Sequence, residues 1–283
     1  MECGHGLSYF VLQTSYLTML NYIEAKPPAS ARQRGALVLL HAFPVNARMW
    51  EPQLAMAERG WRVVAPQFRG FDSAGQVPVR PTPATTMDDY AGDVVDLLDG
   101  LHIHDAVVCG LSMGGYVAFA MLRLAARYVQ GLVLADTRPQ ADTPEAAEGR
   151  RKMIQQVAEG GAAAIADEMI ARLLGDTTRR TRPDVVERVR GLILSNGADA
   201  IAGALHAMMT RPDSTDLLAS IHIPTLIVAG SEDAVTPPAV AEEMQRKIAG
   251  SELAIVESAG HLSNLERSDA FNASLARFLD HRV

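Results

Sequence analysis

Cysteine is scarce in this chain, which has two, Cys3 and Cys109, among its 283 residues. Two cysteines so far apart provide neither a disulfide framework nor the paired spacing of a structural zinc site. Cys109 lies within an apolar run, where we expect its thiol to be buried and unreactive. A low cysteine content suits a reducing compartment, and we expect a cytoplasmic protein.

Positive charge and long apolar runs are also in short supply. The 26 Lys and Arg residues are outnumbered by 33 Asp and Glu, and the formal net charge of −7 argues against nucleic acid or an anionic membrane as a partner. The apolar stretch 7–23 is too polar to span a membrane and lacks the basic start of a secretion signal, although residues 29–31 resemble a cleavage site. We interpret the stretch as two short strands, near 8–13 and 17–25.

Patterns that would hold a metal or a cofactor are missing. His102 and His104, with Asp105, have ligand-like spacing, but no further His, Cys or Glu partner stands nearby in the sequence. No glycine-rich stretch has the spacing of a phosphate-binding or dinucleotide-binding loop, and no Ser-x-x-Lys occurs. We therefore expect no metal and no organic cofactor.

Short apolar runs alternate with helical patterns along most of the chain. Uninterrupted apolar runs are typical of strands buried on both faces of a parallel sheet, and apolar residues three and four apart are typical of helices. The predicted strands are 36–40, 62–65, 106–109, 131–135, 225–229 and 253–256, and the predicted helices are 49–60, 87–101, 116–128 and 268–280. This alternation predicts a parallel sheet with right-handed crossovers.

The alternation stops between residues 137 and 218. This block has a helical pattern, few strand signals and several prolines that divide it. We interpret it as an inserted helical lid. The predicted core then comprises residues 1–136 and 219–283, and the predicted lid comprises residues 137–218.

A serine between two glycines stands where a predicted strand meets a predicted helix, in the sequence Gly110-Leu-Ser112-Met-Gly114. A Gly-x-Ser-x-Gly turn in this context holds its serine in a strained bend that exposes the hydroxyl. The glycines are needed because strand and helix pass closely at this point. Ser112 is therefore the candidate nucleophile.

A serine nucleophile needs a general base and a carboxylate that orients the base, here in the chain order serine, acid, histidine. Asp233 and His261 each follow a predicted strand, which places both at the carboxyl edge of the sheet. We predict Asp233 as the acid and His261 as the base. Asp136 is a rival acid that we interpret instead as a solvated residue at the hinge of the lid, and Glu232 is expected to point away.

The reaction also needs donors for the negatively charged oxygen of the tetrahedral intermediate. The N–H of Met113, the residue after the serine, lies at the start of a helix and is the first candidate. The second is the N–H of Phe43, in the loop after strand 36–40. Pro44 biases Phe43 towards an extended conformation, although the alternative is an ordinary proline turn.

Four apolar or weakly polar residues are candidates for the substrate pocket: Trp50 of the core and His206, Met208 and Met209 of the lid. Methionine suits an adaptable apolar site, but plain packing is the alternative for each residue. We interpret the basic run Arg150-Arg151-Lys152 in the lid as a solvated face.

These motifs together resemble the α/β-hydrolase superfamily, in the small, lidded, cofactor-free branch of enol-lactonase-like proteins, esterases and non-haem haloperoxidases or perhydrolases. The likeness spans about residues 17–278 and rests on His41-Ala-Phe-Pro, Arg69-Gly-Phe-Asp-Ser, Gly110-Leu-Ser-Met-Gly-Gly, Ser231-Glu-Asp and Gly260-His-Leu-Ser-Asn-Leu-Glu. It implies a mostly parallel eight-stranded sheet flanked by helices with an inserted helical lid, and a triad of Ser112, Asp233 and His261. Two departures stand out, because Ala42 and Asp72 occupy positions where glycine is common in the family.

The favoured function is a serine hydrolase that cleaves a small-molecule carboxylic ester through an acyl-enzyme on Ser112. Enol-lactone opening, C–C bond hydrolysis and peracid formation by the same residues are alternatives, and so is a ligand-binding protein on a hydrolase scaffold. We expect a monomer or a homodimer that binds an ester or lactone, and no nucleic acid or membrane.

Overall fold

Seven strands form one sheet in the residues described by the computed structural model, which are 20–71, 85–281 and 283. In chain order the strands are β1 (Tyr22–Ala25), β2 (Gly35–Leu40), β3 (Trp61–Pro66), β4 (Ala106–Leu111), β5 (Val129–Ala135), β6 (Thr225–Gly230) and β7 (Glu252–Val256). Their order across the sheet is β1-β3-β2-β4-β5-β6-β7, and only the β1–β3 pair is antiparallel. We expected eight strands, and the one predicted near 8–13 lies outside the described residues.

The strands form where the apolar runs predicted them, with ends that shift by one or two residues. Every residue of β4 and β6 is buried, as expected for strands covered on both faces. The N-terminal prediction differs more, because the described part of the run 17–25 is a strand only over Tyr22–Ala25. The mostly parallel α/β architecture is confirmed, and the carboxyl ends of its parallel strands share one edge.

Helices cover both faces of the sheet. They are a 3₁₀ helix (Ala47–Arg59), α1 (Met87–Gly100), α2 (Met113–Ala125), a 3₁₀ turn (Ala126–Tyr128), α3 (Pro144–Gly160), α4 (Ala163–Leu173), α5 (Asp176–Thr181), α6 (Pro183–Leu194), α7 (Ala198–Met209), a 3₁₀ turn (Leu218–Ser220), α8 (Pro238–Lys247), α9 (Ser263–Glu266) and α10 (Ser268–His281). None of the helices in the described ranges is long and apolar enough to cross a membrane.

The segment predicted as a helix over 49–60 forms a 3₁₀ helix that ends at Gly60. The φ of Gly60 is 95°, and a Cβ atom there would lie 2.2 Å from the Arg32 carbonyl oxygen. Both the backbone conformation and the close approach therefore require glycine. A 3₁₀ helix has three residues per turn rather than 3.6, so its side chains point in directions that an α-helical pattern does not predict.

Five helices, α3 to α7, form a helical insertion between β5 and β6. α3 packs on α7, and α4 packs on α3 and α6. The insertion is joined to the loops at the carboxyl edge of the sheet: Asn196 Nδ2 donates to the Pro44 carbonyl at 2.7 Å, and the His261 N–H donates to the Leu173 carbonyl at 2.8 Å. These bonds place the insertion over the edge where the candidate residues were predicted.

Candidate active site

Ser112 occupies the turn between β4 and α2 in a conformation that few serines adopt, with φ 54° and ψ −113°. Backbone strain of this kind persists only where surrounding contacts fix it. The Ser112 N–H donates to the Ala135 carbonyl at 2.9 Å, and the Thr137 hydroxyl donates to the Ser112 carbonyl at 2.8 Å. The end of β5 therefore holds the serine turn in its strained form.

The glycines on either side of Ser112 let strand and helix pass at contact distance. A Cβ atom at Gly110 would lie 2.3 Å from the Gly114 carbonyl oxygen, and one at Gly114 would lie 2.1 Å from the Leu40 carbonyl oxygen. Both distances are far below any tolerated carbon–oxygen contact. The predicted close passage at this turn is confirmed.

The structure brings Ser112, His261 and Asp233 into one hydrogen-bonded chain. His261 Nε2 lies 2.8 Å from Ser112 Oγ, and His261 Nδ1 lies 2.8 Å from Asp233 Oδ2. His261 and Asp233 are buried, with 1% and 4% of their surface exposed, and Ser112 exposes 8%. With a carboxylate beside Nδ1, that nitrogen carries the proton and Nε2 is free to accept one from the serine hydroxyl.

Asp233 is held as a carboxylate by its own loop. Its Oδ1 accepts from the N–H groups of Val235 at 2.7 Å and Thr236 at 2.9 Å, and its Oδ2 accepts from the Thr236 hydroxyl at 2.6 Å. Burial opposes ionisation, but His261 and the Thr236 hydrogen bonds outweigh it and lower the pKa of Asp233. Sequence reasoning missed Thr236, although an Asp followed by Thr three residues later is a recurrent turn pattern.

The two acidic residues considered beside Asp233 have different outcomes. Glu232 points away as predicted, because it accepts from the Thr177 N–H at 2.8 Å and from the Thr177 hydroxyl. The interpretation of Asp136 as a solvated residue was wrong, since it exposes 1% of its surface. Its carboxyl accepts from the Gly230 N–H at 2.8 Å and from the Ser263 hydroxyl. Burial, and then the negative charge of Asp233, raise the pKa of Asp136 well above its usual range.

Two backbone N–H groups beside Ser112 are suited to bind a developing negative charge. Met113 is the first residue of α2, where N–H groups have no partner within the helix. Phe43 lines the same cavity as Ser112, from the loop after β2. Within the described ranges neither N–H donates to a protein acceptor, so both can serve a ligand oxygen.

His41 shapes the loop that carries Phe43. Its Nδ1 donates to the Ala42 carbonyl at 3.0 Å, and its Nε2 accepts from the Phe68 N–H at 3.2 Å, which assigns the tautomer. Complete burial lowers the pKa of His41 to about 4, so the ring is neutral at pH 7. Ala42, in place of the glycine common in the family, fits here, with its N–H 3.2 Å from Met49 Sδ. The second departure, Asp72, lies outside the described residues.

Residues 37–274 match the family model described as the alpha/beta hydrolase family. The chain belongs to this family. It is 30% identical over 236 residues to 3-oxoadipate enol-lactonase 1 of Acinetobacter baylyi, covering 83% of this chain and 85% of that one. A thermophilic esterase from Thermogutta terrifontis, solved with malate bound, superposes with a TM-score of 0.84 at 35% identity, covering 96% of this chain and 98% of that one. The enol-lactonase of Burkholderia xenovorans superposes with a TM-score of 0.82 at 26% identity. The match covers 93% of this chain and 97% of that one.

Membership of the family confirms the predicted fold class and the predicted enzyme class, a hydrolase. In this α/β-hydrolase a cavity of about 440 Å³ lies between the core and the helical insertion. Ser112, His261 and Phe43 line its core side, and Arg150, Met169 and Met208 are among the residues that line its insertion side. This volume is in the range of small-molecule sites.

Of the four predicted pocket residues, the structure places one in the cavity wall. Met208 lines the cavity, whereas Trp50, His206 and Met209 lie elsewhere. Trp50 is fully buried against Phe271, with ring centroids 6.0 Å apart. His206 turns its Nδ1 to the backbone carbonyl of residue 85 at 3.2 Å. Met209 follows Met208 by about 100° around α7 and so faces another side of the helix.

The basic run in α3 is not wholly solvated, which corrects the interpretation from sequence. Arg150 is half-buried and lines the cavity. Lys152 also lines it but is exposed, as is Arg151, which pairs with Glu148 at 3.0 Å. Consecutive residues of a helix point in directions about 100° apart, so one charged run serves two faces. The cavity wall opposite Ser112 is therefore partly cationic.

The insertion of this α/β-hydrolase is fixed to the histidine loop. Besides the His261–Leu173 hydrogen bond, the Gly175 N–H donates to Glu266 Oε2 at 2.9 Å. A Cβ atom at Gly260 would lie 2.2 Å from the Gly175 nitrogen. The turn between α4 and α5 thus packs directly on the loop that carries the base, and no larger residue fits at position 260.

The described residues offer neither a reactive thiol nor a metal site. Burial raises the pKa of the Cys109 thiol, as expected for an unreactive strand residue. No group of three or more His, Cys, Asp or Glu side chains in the described part of the chain is arranged to hold a metal ion.

Proposed function

We propose that this α/β-hydrolase cleaves a carboxylic ester of a small molecule through an acyl-enzyme on Ser112. The observation that carries the proposal is the hydrogen-bonded chain from Ser112 Oγ through His261 to Asp233, with both links at 2.8 Å, beside a cavity. A serine hydroxyl aligned with a neutral imidazole, which is aligned in turn with a carboxylate, is an activated nucleophile.

Acylation begins when Ser112 Oγ attacks the ester carbonyl carbon and its proton passes to His261 Nε2. The resulting imidazolium is stabilised by Asp233, whose lowered pKa keeps it charged. The N–H groups of Phe43 and Met113 donate to the oxyanion of the tetrahedral intermediate. His261 then protonates the leaving alkoxide, and the alcohol departs from the acyl-enzyme.

Deacylation uses the same groups with water as the nucleophile. His261 Nε2 takes a proton from a water molecule, whose oxygen attacks the acyl carbonyl carbon. The oxyanion again lies between Phe43 and Met113, and its collapse returns the proton to Ser112 and releases the acid. We further propose that residues 137–218 act as a lid, because the helical insertion forms the cavity wall that an acyl chain would meet.

Hydrolysis of p-nitrophenyl acetate and butyrate by wild type and Ser112→Ala tests the proposal. We expect kcat/KM to fall by about 10⁴- to 10⁶-fold in the variant. Ser220→Ala is a matched control, because Ser220 is exposed and its hydroxyl donates to the Leu217 carbonyl of its own turn. Near-full turnover by Ser112→Ala would refute the assignment of the nucleophile.

Opening of an enol-lactone by the same residues is a second candidate. It is supported by the 30% identity to the enol-lactonase of Acinetobacter baylyi and by the structural match to that of Burkholderia xenovorans. A lactone is an internal ester, so the chemistry differs only in that the alcohol stays attached to the acyl group. Parallel kcat/KM values for aryl esters and a panel of lactones distinguish the two candidates.

A further inference from the structure

Two arginines of the helical insertion share one buried carboxylate beside the cavity. Arg150 binds Asp142 through Nε and Nη2, and Arg211 binds it through Nη1 at 2.6 Å. The exposed fractions of the Arg150, Arg211 and Asp142 side chains are 21%, 4% and 5%. Asp213, two residues after Arg211, accepts hydrogen bonds from backbone N–H groups, and its charge also acts on Arg211 through space. The hydrogen-bonded cluster therefore joins two guanidinium groups to a single carboxylate.

The two guanidinium groups have different acceptors, although each has a donor without a strong one: among the described residues, the buried Nε of Arg211 has no hydrogen-bond partner. Arg211 also donates to the carbonyls of Met208 and Gln140, at 2.6 and 2.7 Å, and lies 4.0 Å over the Tyr116 ring. Among the residues that the structure describes, the acceptor of Arg150 Nη1 is the Met208 thioether sulfur, at 3.5 Å. A thioether is a weak acceptor, whereas a guanidinium prefers a carboxylate.

Arg150 lies in the wall of the cavity that also contains the candidate nucleophile. Arg150, Met208, Ser112 and His261 line the same cavity of about 440 Å³. An anionic group bound at Nη1 would replace a weak contact with a charge-assisted hydrogen bond.

The remaining charged groups of the wall have both signs and are more exposed than Arg150. Lys152 and Arg172 also line the cavity, and the acids there are Glu145 and Glu168. Glu168 pairs with Arg172 at 3.5 Å, and both side chains are more than half exposed. Glu145 stands in the first turn of α3, where the helix dipole already stabilises its charge. Arg150 is thus the half-buried cation of the wall, and within the described ranges its Nη1 meets only a weak acceptor.

We propose that Arg150 binds a substrate carboxylate remote from the scissile bond, so that the preferred substrates are esters or lactones that carry a free acid. The proposal rests on the hydrolase function proposed above and adds its substrate class. Arg150 selects the substrate and takes no part in bond cleavage. A neutral ester of the same length still reaches Ser112 but leaves Arg150 unpaired, and for that reason it is a poorer substrate.

The first test compares two aryl esters that differ in one charge, mono-p-nitrophenyl adipate and its methyl ester. Adipate is chosen because its chain is too long for efficient attack by its own carboxylate. We expect wild type to prefer the free acid by at least about 10-fold in kcat/KM, and Arg150→Gln to lower that preference by about 10- to 100-fold. Arg151→Gln, one residue away and outside the cavity, is the matched control and should keep the wild-type preference.

Isothermal calorimetry with adipate supplies a test that does not depend on turnover. We expect adipate to bind wild type and Arg151→Gln alike and to bind Arg150→Gln at least about 10-fold more weakly, with wild-type affinity falling as salt rises. Unfolding temperatures of the variants show whether the Arg150 substitution has only disturbed the fold, and Arg150→Lys, which keeps the charge, should retain part of the preference.

Equal treatment of the two esters by wild type, or equal adipate affinity in Arg150→Gln and Arg151→Gln, would overturn the proposal. Such a result alongside Ser112-dependent hydrolysis of the neutral ester would leave the proposed function intact. Adipate binding that depends on Arg150, without any Ser112-dependent hydrolysis, would instead refute the function and support the anion site.

Discussion

Asp136 and Asp233, two buried carboxyl groups at the ends of neighbouring strands, have opposite pKa shifts. The pKa of Asp136 is raised, first by burial and then by the charge of Asp233. The pKa of Asp233 is lowered, because His261 and Thr236 outweigh the effect of its burial. Two acids whose environments separate their pKa values take different roles. Asp233 is the ionised partner of His261, and Asp136 joins the acid loop to the histidine loop.

Replacing Asp136 by Asn should make the folding stability less sensitive to a rise in pH. An acid whose pKa is raised by folding contributes stability that is present below its ordinary pKa and is lost as pH rises through the raised value. The amide of the introduced asparagine could accept from the Gly230 N–H and donate to Ser263, so we expect Asp136→Asn to gain in unfolding temperature relative to wild type between pH 5 and pH 8.

Asp213→Asn is the control of opposite sign. The pKa of Asp213 is lowered, chiefly by the Thr215 hydrogen bonds, so its stabilising effect is present above the ordinary pKa and is lost as pH falls. This variant should lose unfolding temperature relative to wild type as pH rises towards 3.8, with no further change between pH 5 and pH 8. A parallel response of both variants would contradict the assignment of a raised pKa to Asp136.

Thr236 should act as a positioning residue for Asp233. Its hydroxyl donates to Asp233 Oδ2 at 2.6 Å, the oxygen that also faces His261 Nδ1. Thr236→Val keeps the shape and removes the donor, so kcat should fall by about 10-fold with little change in KM. Thr236→Ser restores the hydroxyl and should restore most of kcat. A loss that serine does not rescue would indicate a packing role only.

His41 should make folding stability depend on pH in the mildly acidic range. Its pKa falls from 6.5 to about 4 on folding, so its stabilising effect is present above pH 6.5 and is lost as pH falls towards 4. This shift corresponds to about 2 kcal/mol of lost stability between pH 7.5 and pH 5. Urea unfolding of wild type and His41→Gln at both pH values measures this loss of unfolding free energy. An equal loss in the two proteins would exclude His41 as its source.

Gly114 should tolerate no side chain, in contrast to a glycine on an open helix face. Gly114→Ala places Cβ 2.1 Å from the Leu40 carbonyl oxygen, so we expect a loss of about 1–3 kcal/mol in unfolding free energy and a drop in activity. Gly191→Ala in α6 meets no atom within 4 Å and should be neutral or stabilising by about 0.5–1 kcal/mol. Similar losses in both variants would mean that the close approach at Gly114 is not the cause.

The positions of Ser112, Asp233 and His261 could be predicted because each follows an apolar run. Runs of this kind are buried parallel strands, and parallel strands present their carboxyl ends at one edge, so residues 149 positions apart were expected to meet. The local glycine pattern and the chain order of the three residues then assigned a role to each.

The environment of a side chain could not be predicted in the same way where distant segments of the chain form it. Asp136 is buried because Gly230 and Ser263, 94 and 127 residues further along, cover it. Trp50 is buried because Phe271, 221 residues further along, packs against its ring. Arg150 faces the cavity because of how α3 is rotated on α7, which a run of three basic residues does not specify.

Covalent labelling tests the central claim, that Ser112 is an activated nucleophile, most directly. The enzyme is treated with a fluorophosphonate probe, and the adduct is located by mass spectrometry of its peptides. We expect one adduct per chain, on Ser112, absent from Ser112→Ala and retained in Ser220→Ala, with loss of ester hydrolysis in proportion to labelling. An enzyme that hydrolyses esters while Ser112 stays unmodified would contradict the account.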